Sequence, residues 1–180
     1  FLEFENRIKK AQGKIVFVAL HHPTKTNSKQ GFLSNIGGFS TQDFQNKQYR
    51  TLRNRLKTIA VGADNVIFLS GQSKNLQYIK GNVPQIISGA AGKLEAVKNG
   101  EQGDFSIAKK GYVRLDITTN GSVLAKYYAL ENGTFNEIFK TTVLKSETED
   151  LEVYNFDKNL GTTKSAAIYT KEAATKSGFY

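Results

Sequence analysis

Two Asn-Gly pairs, set between stretches of alternating apolar and polar residues, constrain this fold most strongly. Apolar side chains occupy every second position on both sides of Asn120-Gly121, at Val113, Leu115, Ile117, Val123, Ala125 and Tyr127. Asn132-Gly133 repeats the turn signal before a further run at residues 135–143. Alternation with a period of two is typical of half-buried strands, and Asn-Gly favours two-residue hairpin turns. The pattern therefore predicts three antiparallel strands joined by two hairpins.

The start of the chain shows a different pattern. Apolar residues recur at helical spacing before Gly13, at Phe1, Phe4, Ile8 and Ala11. This spacing predicts the end of an amphipathic helix over residues 1–12. Residues 15–20 are then all apolar and rich in β-branched side chains. Such a run is typical of a strand buried on both faces, so we expect a central strand there.

A helix and a second apolar strand follow a long polar stretch at residues 24–45. The predicted helix has one apolar face, formed by Tyr49, Leu52, Leu56, Ile59, Ala60 and Ala63. The apolar residues 65–70 come next, and residues 68–90 read as strand, glycine turn, strand and small-residue turn. A strand, loop, helix and strand in this order form a crossover unit, which joins parallel strands. The predicted fold class is therefore α/β, with antiparallel hairpins after a crossover unit.

Composition and charge exclude several classes of protein. The chain of 180 residues contains no cysteine, which excludes disulfides and thiolate metal sites, and no apolar run is long enough to span a membrane. It contains no methionine, so we expect a piece of a longer protein. The formal charge is +9, but the basic residues are spread through the chain; Arg50, Arg53, Arg55 and Lys57 lie close together on one helical stretch, and all of these except Arg55 share one face. Such a group is most often a solvated face, and we expect no nucleic-acid partner.

Three segments resemble the C-terminal half of calcineurin-like metallophosphoesterases of the purple acid phosphatase-like bacterial type. They are VFVALHHP, YRTLRNRLKTIAVGADNVIFLSG and NLQYIKGNVPQIISGA, and the similarity spans about residues 1–130 with order and spacing preserved. The resemblance implies a two-sheet α/β sandwich with these motifs at the ends of strands. It also implies two metal ions, held by histidines and by upstream Asp, His and Asn ligands, that clamp a phosphate ester and activate a bridging water.

The chain preserves the family's metal-binding positions only in part. His21 falls where the family has the ligand that follows the first strand, and His22 is its neighbour. The family's second motif is a Gly-His-Xaa-His turn, and its two histidines correspond here to Gln72 and Lys74. Asn75 keeps the frame of that motif. The turn therefore resembles a metal-binding turn without its ligands.

The replacements are poor metal ligands. A glutamine amide oxygen binds a dication more weakly than imidazole does, and a lysine ammonium has donors only and is repelled by the metal. We expect Lys74 to pair with carboxylates upstream of residue 1. Gln30 and Gly31 are the expected remnant of a substrate-side loop that lacks the family's histidine. The vestigial metal positions are then His21, His22, Gln72, Lys74 and Asn75, with no catalytic residue and no bound metal expected.

These departures predict a catalytically inactive metallophosphoesterase-like domain, a pseudoenzyme that acts as a scaffold or protein-interaction module. No cofactor is expected for it. The alternative is a metal-dependent phosphoesterase with a reduced site, which the missing N-terminal half would complete. That enzyme would hold two divalent metals, Fe, Mn or Zn.

The apolar pattern weakens after Leu144, which suggests a domain division there, and the resemblance suggests a location and a class of partner. Residues 1–144 are expected to form the C-terminal part of the metallophosphoesterase-like domain. Residues 145–180 are expected to form an extended linker or tail that docks on a partner or leads to a membrane domain. The segment AAIYTKEAATKSGFY is similar to segments that lead into an outer-membrane β-barrel in some bacterial members. We therefore expect a protein partner or a covalently linked outer-membrane β-barrel domain, and a location in the cell envelope, periplasmic or associated with the outer membrane.

Overall fold

A computed structural model of the chain describes residues 1–11, 13–28, 46–98 and 100–146. The elements in chain order are α1 (Leu2–Lys10), β1 (Val16–Leu20), α2 (Lys47–Val61), β2 (Val66–Ser70), β3 (Leu76–Ile79), β4 (Gln85–Ser88), β5 (Phe105–Ile107), β6 (Gly111–Ile117), β7 (Val123–Glu131) and β8 (Thr134–Leu144). The described strands form one sheet of five and one of three, so the fold is mixed α/β. The predicted tail lies outside the described residues, apart from Lys145 and Ser146.

The larger sheet has the strand order β1-β2-β4-β3-β5. β1 pairs in parallel with β2, from Val16 opposite Val66 to Leu20 opposite Ser70, and β2 pairs in parallel with β4. β3 is antiparallel to both β4 and β5. The predicted crossover unit is confirmed, since β1, α2 and β2 follow each other and the two strands are parallel. Their C-terminal ends consequently lie at the same edge of the sheet.

The prediction of a central first strand is wrong for the part of the chain that the structure describes. β1 lies at the end of the larger sheet and pairs with β2 alone. Val16, Val18 and Leu20 pack against the helical layer, whereas Phe17 on the other face is 37% exposed. A continuous apolar run indicates that a strand has apolar neighbours, but it carries no information about how many strands flank it.

Both helices cover one face of the larger sheet. Their apolar residues pack on Val66 and Phe68 of β2, through Phe4, Ile8, Leu56, Ile59 and Ala60. The helix bounds differ by about two residues from those predicted. The side chain of Asn46 caps α2, because its oxygen accepts hydrogen bonds from the backbone N–H groups of Gln48 (2.9 Å) and Tyr49 (3.2 Å).

The three antiparallel strands β6, β7 and β8 confirm the strongest sequence prediction, with one correction. Asn132 and Gly133 both have positive φ, 51° and 81°, as a two-residue hairpin turn of the predicted kind requires. The other hairpin has a three-residue loop instead, because Thr118 and Ser122 still pair and only Gly121 is left-handed (φ 86°). The hydrogen bond from the Thr118 N–H to the Ser122 carbonyl extends the β6–β7 ladder by one residue pair towards the turn.

The two sheets pack on each other through an aromatic core. Tyr127 of β7 is fully buried and donates its hydroxyl to the Gln77 carbonyl of β3 over 2.9 Å. Phe105 of β5 lies edge-on to Tyr127 at 5.2 Å and stacks on Phe139 of β8 at 4.2 Å. This core fixes the larger sheet against the smaller one.

Candidate functional site at the ends of β1 and β2

The two turns that carry the predicted site residues lie against each other. The His-His-Pro turn follows β1 and the Gly-Gln-Ser-Lys turn follows β2. The backbone N–H of Gln72 donates a hydrogen bond of 3.1 Å to the His21 carbonyl oxygen. The structure therefore brings His21, His22 and Gln72 together at the C-terminal edge of the sheet, where ligands of open α/β sheets commonly bind.

The two histidines have different environments. His21 is exposed, and its ring contacts the His22 ring edge-on at a centroid distance of 4.7 Å. His22 is half-buried and also contacts the Tyr49 ring at 5.1 Å. Burial, and to a smaller extent the charge of His21, lowers the pKa of His22. Burial therefore favours the neutral form of the His22 imidazole, and its buried Nε2 has no hydrogen-bond partner among the described residues.

Two side chains from the first turns of α2 form hydrogen bonds with the backbone of the His-His-Pro turn and of the residue after it. The Tyr49 hydroxyl donates to the Pro23 carbonyl over 3.1 Å, and Arg53 Nη1 donates to the Thr24 carbonyl over 3.2 Å. The guanidinium of Arg53 also lies 5.1 Å from the centre of the Tyr49 ring. Both histidines border a cavity of about 200 Å³, and its other lining residues are Leu20, Thr24, Tyr49, Leu52, Arg53 and Leu56.

The prediction of a solvated basic face on this helix is wrong for Arg53, which is only 8% exposed. Arg50 is exposed, as expected, and Lys57 is half-buried. Sequence reasoning missed the roles of Tyr49 and Arg53. The available signal was a Tyr and an Arg four residues apart, one helical turn, in the helix that follows the His-His-Pro turn.

Asn75 has a structural role in a buried polar network. Its side-chain amide donates to Ser28 Oγ (2.8 Å) and to the Glu95 carbonyl (3.2 Å), and its Oδ1 accepts from Gln77 Nε2 (2.6 Å). Gln77 Oε1 in turn accepts from the backbone N–H of Asn27 (2.7 Å). Both amide side chains are fully buried and hydrogen-bonded, as buried polar groups must be. The network fastens Asn27 and Ser28, in the segment that follows the two histidines, to Gln77 of β3 and to Asn75 just before it.

The side chains of Gln72 and Lys74 make none of the hydrogen bonds just described for this network. Both residues are exposed, and the Lys74 carbonyl accepts a hydrogen bond from the Glu95 N–H over 2.9 Å. In the part of the chain that the structure describes, no carboxylate pairs with Lys74. Its predicted partners lie upstream of residue 1, so that pairing stays a prediction. Gln30 and Gly31 lie outside the described residues.

Gly89 allows the two turns to approach the end of β4. A Cβ atom at Gly89 would overlap the carbonyl oxygens of Gly71 and Ser73. The backbone N–H of Gly89 also donates to the Asn75 carbonyl over 3.1 Å. The second turn is therefore packed against β4 by direct backbone contact, which leaves no space for a side chain at position 89.

The donor set at this edge does not fit the pair of metal ions that the resemblance implies. It consists of two imidazoles, one exposed amide and one ammonium group. Within residues 1–11, 13–28, 46–98 and 100–146, no group of three His, Cys, Asp or Glu side chains is placed to hold a metal ion. Two dications need several anionic or imidazole ligands, whereas the Lys74 ammonium adds positive charge.

Comparison with known proteins adds no identification. Neither a family model nor a curated protein matches this chain. The resemblance to metallophosphoesterases therefore rests on the quoted motifs and stays a prediction. Among the described residues, no helix is long and apolar enough to cross a membrane.

Proposed function

We propose that this chain is part of a catalytically inactive metallophosphoesterase-like domain, which acts as a scaffold or protein-interaction module in a larger cell-envelope protein. One observation carries the proposal: the turn packed against His21 through the Gln72 hydrogen bond presents an amide and an ammonium group instead of imidazoles. In the family that the motifs resemble, two metal ions at this position activate the water that attacks the phosphate ester. The residues present would bind them poorly.

The architecture is compatible with the proposed family. Two sheets pack face to face, parallel strands β1, β2 and β4 follow a crossover, and antiparallel hairpins come after it. These features suit a two-sheet sandwich, although many unrelated functions share such folds. The functional part of the proposal therefore depends on the site residues alone.

Metal content of the full-length protein tests the proposal. The protein would be expressed with manganese, iron and zinc supplied, and analysed by elemental mass spectrometry together with hydrolysis of p-nitrophenyl phosphate and bis(p-nitrophenyl) phosphate. We expect background metal and no turnover. Near-stoichiometric metal and turnover that are both lost in His21→Ala, and retained in an Asn82→Ala control at an exposed turn, would overturn the proposal.

A phosphoesterase with a reduced metal site is the second candidate, and one observation favours it. The Nε2 atom of His22 is buried, has no partner among the described residues and belongs to a ring whose pKa is lowered. A neutral imidazole with a free nitrogen is a suitable metal ligand. The same measurement separates the candidates, because this enzyme would lose its metal in His22→Ala as well as in His21→Ala.

A further inference from the structure

The longest described strand, β8, has one edge that no other described strand covers. Its 11 residues pair with β7 alone in the part of the chain that the structure describes. Most side chains along this strand are exposed, namely those of Thr134, Phe135, Asn136, Glu137, Lys140 and Thr142. A strand edge with free backbone N–H and C=O groups is a template for pairing with another strand. The open edge of β8 is therefore a candidate for an interface between strands.

A β-bulge makes Glu137 and Lys140 equivalent positions of β8. Their partners on β7, Tyr128 and Lys126, are two residues apart, although Glu137 and Lys140 are three residues apart. The register shift between Tyr127 and Tyr128 accounts for the extra residue on β8. Side-chain direction and hydrogen-bonding direction both repeat every two residues along a strand. Glu137 and Lys140 consequently lie on the same face of the sheet and turn their backbone groups the same way.

This equivalence makes the edge of β8 complementary to itself. If two copies pair antiparallel about a two-fold axis midway between Glu137 and Lys140, Glu137 of each copy lies opposite Lys140 of the other. Phe135 on the same face then lies opposite Thr142 of the other copy, and such pairs of an aromatic and a β-branched side chain stabilise sheets. Opposite charges and matching side chains therefore meet in one register.

The residues on the inner face agree with the same register. Asn136 and Thr141 lie opposite Ala129 and Ala125, which are both fully buried on β7. In the two-fold arrangement Asn136 of each copy meets Thr141 of the other, so polar side chains meet polar ones on that face. A register centred on either charged residue would instead place like charges opposite each other, which is unfavourable.

The two charged side chains are accessible for this contact. Both Glu137 and Lys140 are exposed, and neither forms an ion pair within the described residues. The Glu137 carboxylate accepts one hydrogen bond, from the Tyr128 hydroxyl over 3.3 Å. A carboxylate has about four acceptor positions, so Glu137 can also accept from a lysine of another copy.

We propose that two copies of this protein associate through antiparallel pairing of their β8 edges, with Glu137 of each copy opposite Lys140 of the other. The two smaller sheets, three strands each, then form one continuous sheet. A two-fold interface uses the same patch on both subunits and must be self-complementary, as this edge is. A second copy therefore fits better than an unrelated strand. The inference goes beyond the proposed function and holds whether or not the site hydrolyses phosphate esters.

Sedimentation velocity of the full-length protein over a series of concentrations tests this proposal. We expect a reversible equilibrium between monomer and dimer that weakens as salt is raised, because the ion pairs at the interface are exposed. Glu137→Lys and Lys140→Glu each place like charges opposite each other across the interface, and each should raise the dimer dissociation constant at least about tenfold. An equimolar mixture of the two variants should form dimers again, because the reversed charges then meet their opposites in the other copy.

Two matched controls lie on the helices, on the opposite side of the larger sheet. Glu3→Lys and Lys47→Glu change the net charge as the two test variants do, and both residues are exposed. Both should leave the dimer dissociation constant unchanged, and circular dichroism would verify that all four variants fold. A monomer at every concentration, an unchanged equilibrium in the test variants, equal losses in the controls, or a mixture that stays monomeric would each overturn the inference. Phosphatase turnover in a protein that dimerises as expected would instead overturn only the inactive-domain proposal.

Discussion

The hydroxyl group of Tyr49 donates a hydrogen bond to the carbonyl oxygen of Pro23, over 3.1 Å, and thereby ties α2 to the turn that carries both histidines. Burial raises the pKa of Tyr49 to about 12, so the hydroxyl keeps its proton at neutral pH and remains a donor. Arg53, one helical turn further on, makes the equivalent bond to Thr24. The position of His22 therefore depends on Tyr49 and Arg53, which are not among the site residues predicted from the sequence.

Removal of this hydroxyl tests its contribution. Tyr49→Phe leaves the ring contact with His22 in place but deprives the Pro23 carbonyl of its donor, so we expect a loss of about 1 kcal/mol in the free energy of unfolding. Urea titration followed by circular dichroism would measure it. Tyr112→Phe, at an exposed tyrosine, is the matched control and should change stability little. Equal effects in the two variants would show that the tie to Pro23 does not stabilise the fold.

Gly89→Ala should disrupt the contact between β4 and the Gly-Gln-Ser-Lys turn. The added methyl group would overlap the Gly71 and Ser73 carbonyl oxygens, so we expect destabilisation of about 1–3 kcal/mol, in the range of other overpacked sites. The control is Gly92→Ala, since a Cβ atom there meets nothing within 4 Å. The difference between the two midpoints of thermal unfolding measures the effect. If both variants unfold at the same temperature, the backbone contact is not tight.

Local signals in the sequence predicted the smaller sheet, but longer-range pairing could not be predicted. Alternation and Asn-Gly turns are properties of neighbouring residues, and they gave β6, β7 and β8 correctly. β5 was missed because it has three residues, too few for any periodicity, and its partner β3 ends 26 residues before it begins (105 minus 79). The position of β1 was predicted wrongly because an apolar run does not reveal the strand order.

The position of the candidate site could be predicted from the sequence, but the side chains that hold its turns in place could not. Parallel strands end at the same edge, so the meeting of the two turns followed from the crossover unit. The spacing of Tyr49 and Arg53 places them on one side of the helix, but it does not reveal their partners, because both bind backbone carbonyl oxygens, which are present at every residue. The burial of Asn75 was also invisible, since its partners come from segments 47 residues before it and 20 residues after it.

Stability should depend on pH through His22. Burial, with a smaller effect of His21, lowers the pKa of His22 in the folded protein, so the folded state binds fewer protons than the unfolded state at mildly acidic pH. The contribution is fully present above the unfolded pKa of about 6.5 and is lost as the pH falls below it. We expect a lower urea midpoint at acidic than at neutral pH. His22→Asn should reduce this dependence more than His21→Asn does, and equal slopes in both variants would contradict the assignment.

Asp116 should be the most sensitive charged residue of the smaller sheet. It is 2% exposed, and although burial raises its pKa, hydrogen bonds from Lys126 and Arg114 outweigh that effect and lower the pKa overall. Asp116→Asn would remove the carboxylate that pairs with Arg114 and Lys126, and we expect a loss of about 2 kcal/mol, less than for a fully buried ion pair because Arg114 retains some exposure. Urea unfolding at neutral pH measures the loss. Glu131→Gln, which breaks the exposed pair with Lys109, is the control and should cause no measurable change. A small effect in Asp116→Asn would mean that solvent already screens the charges of Arg114 and Lys126.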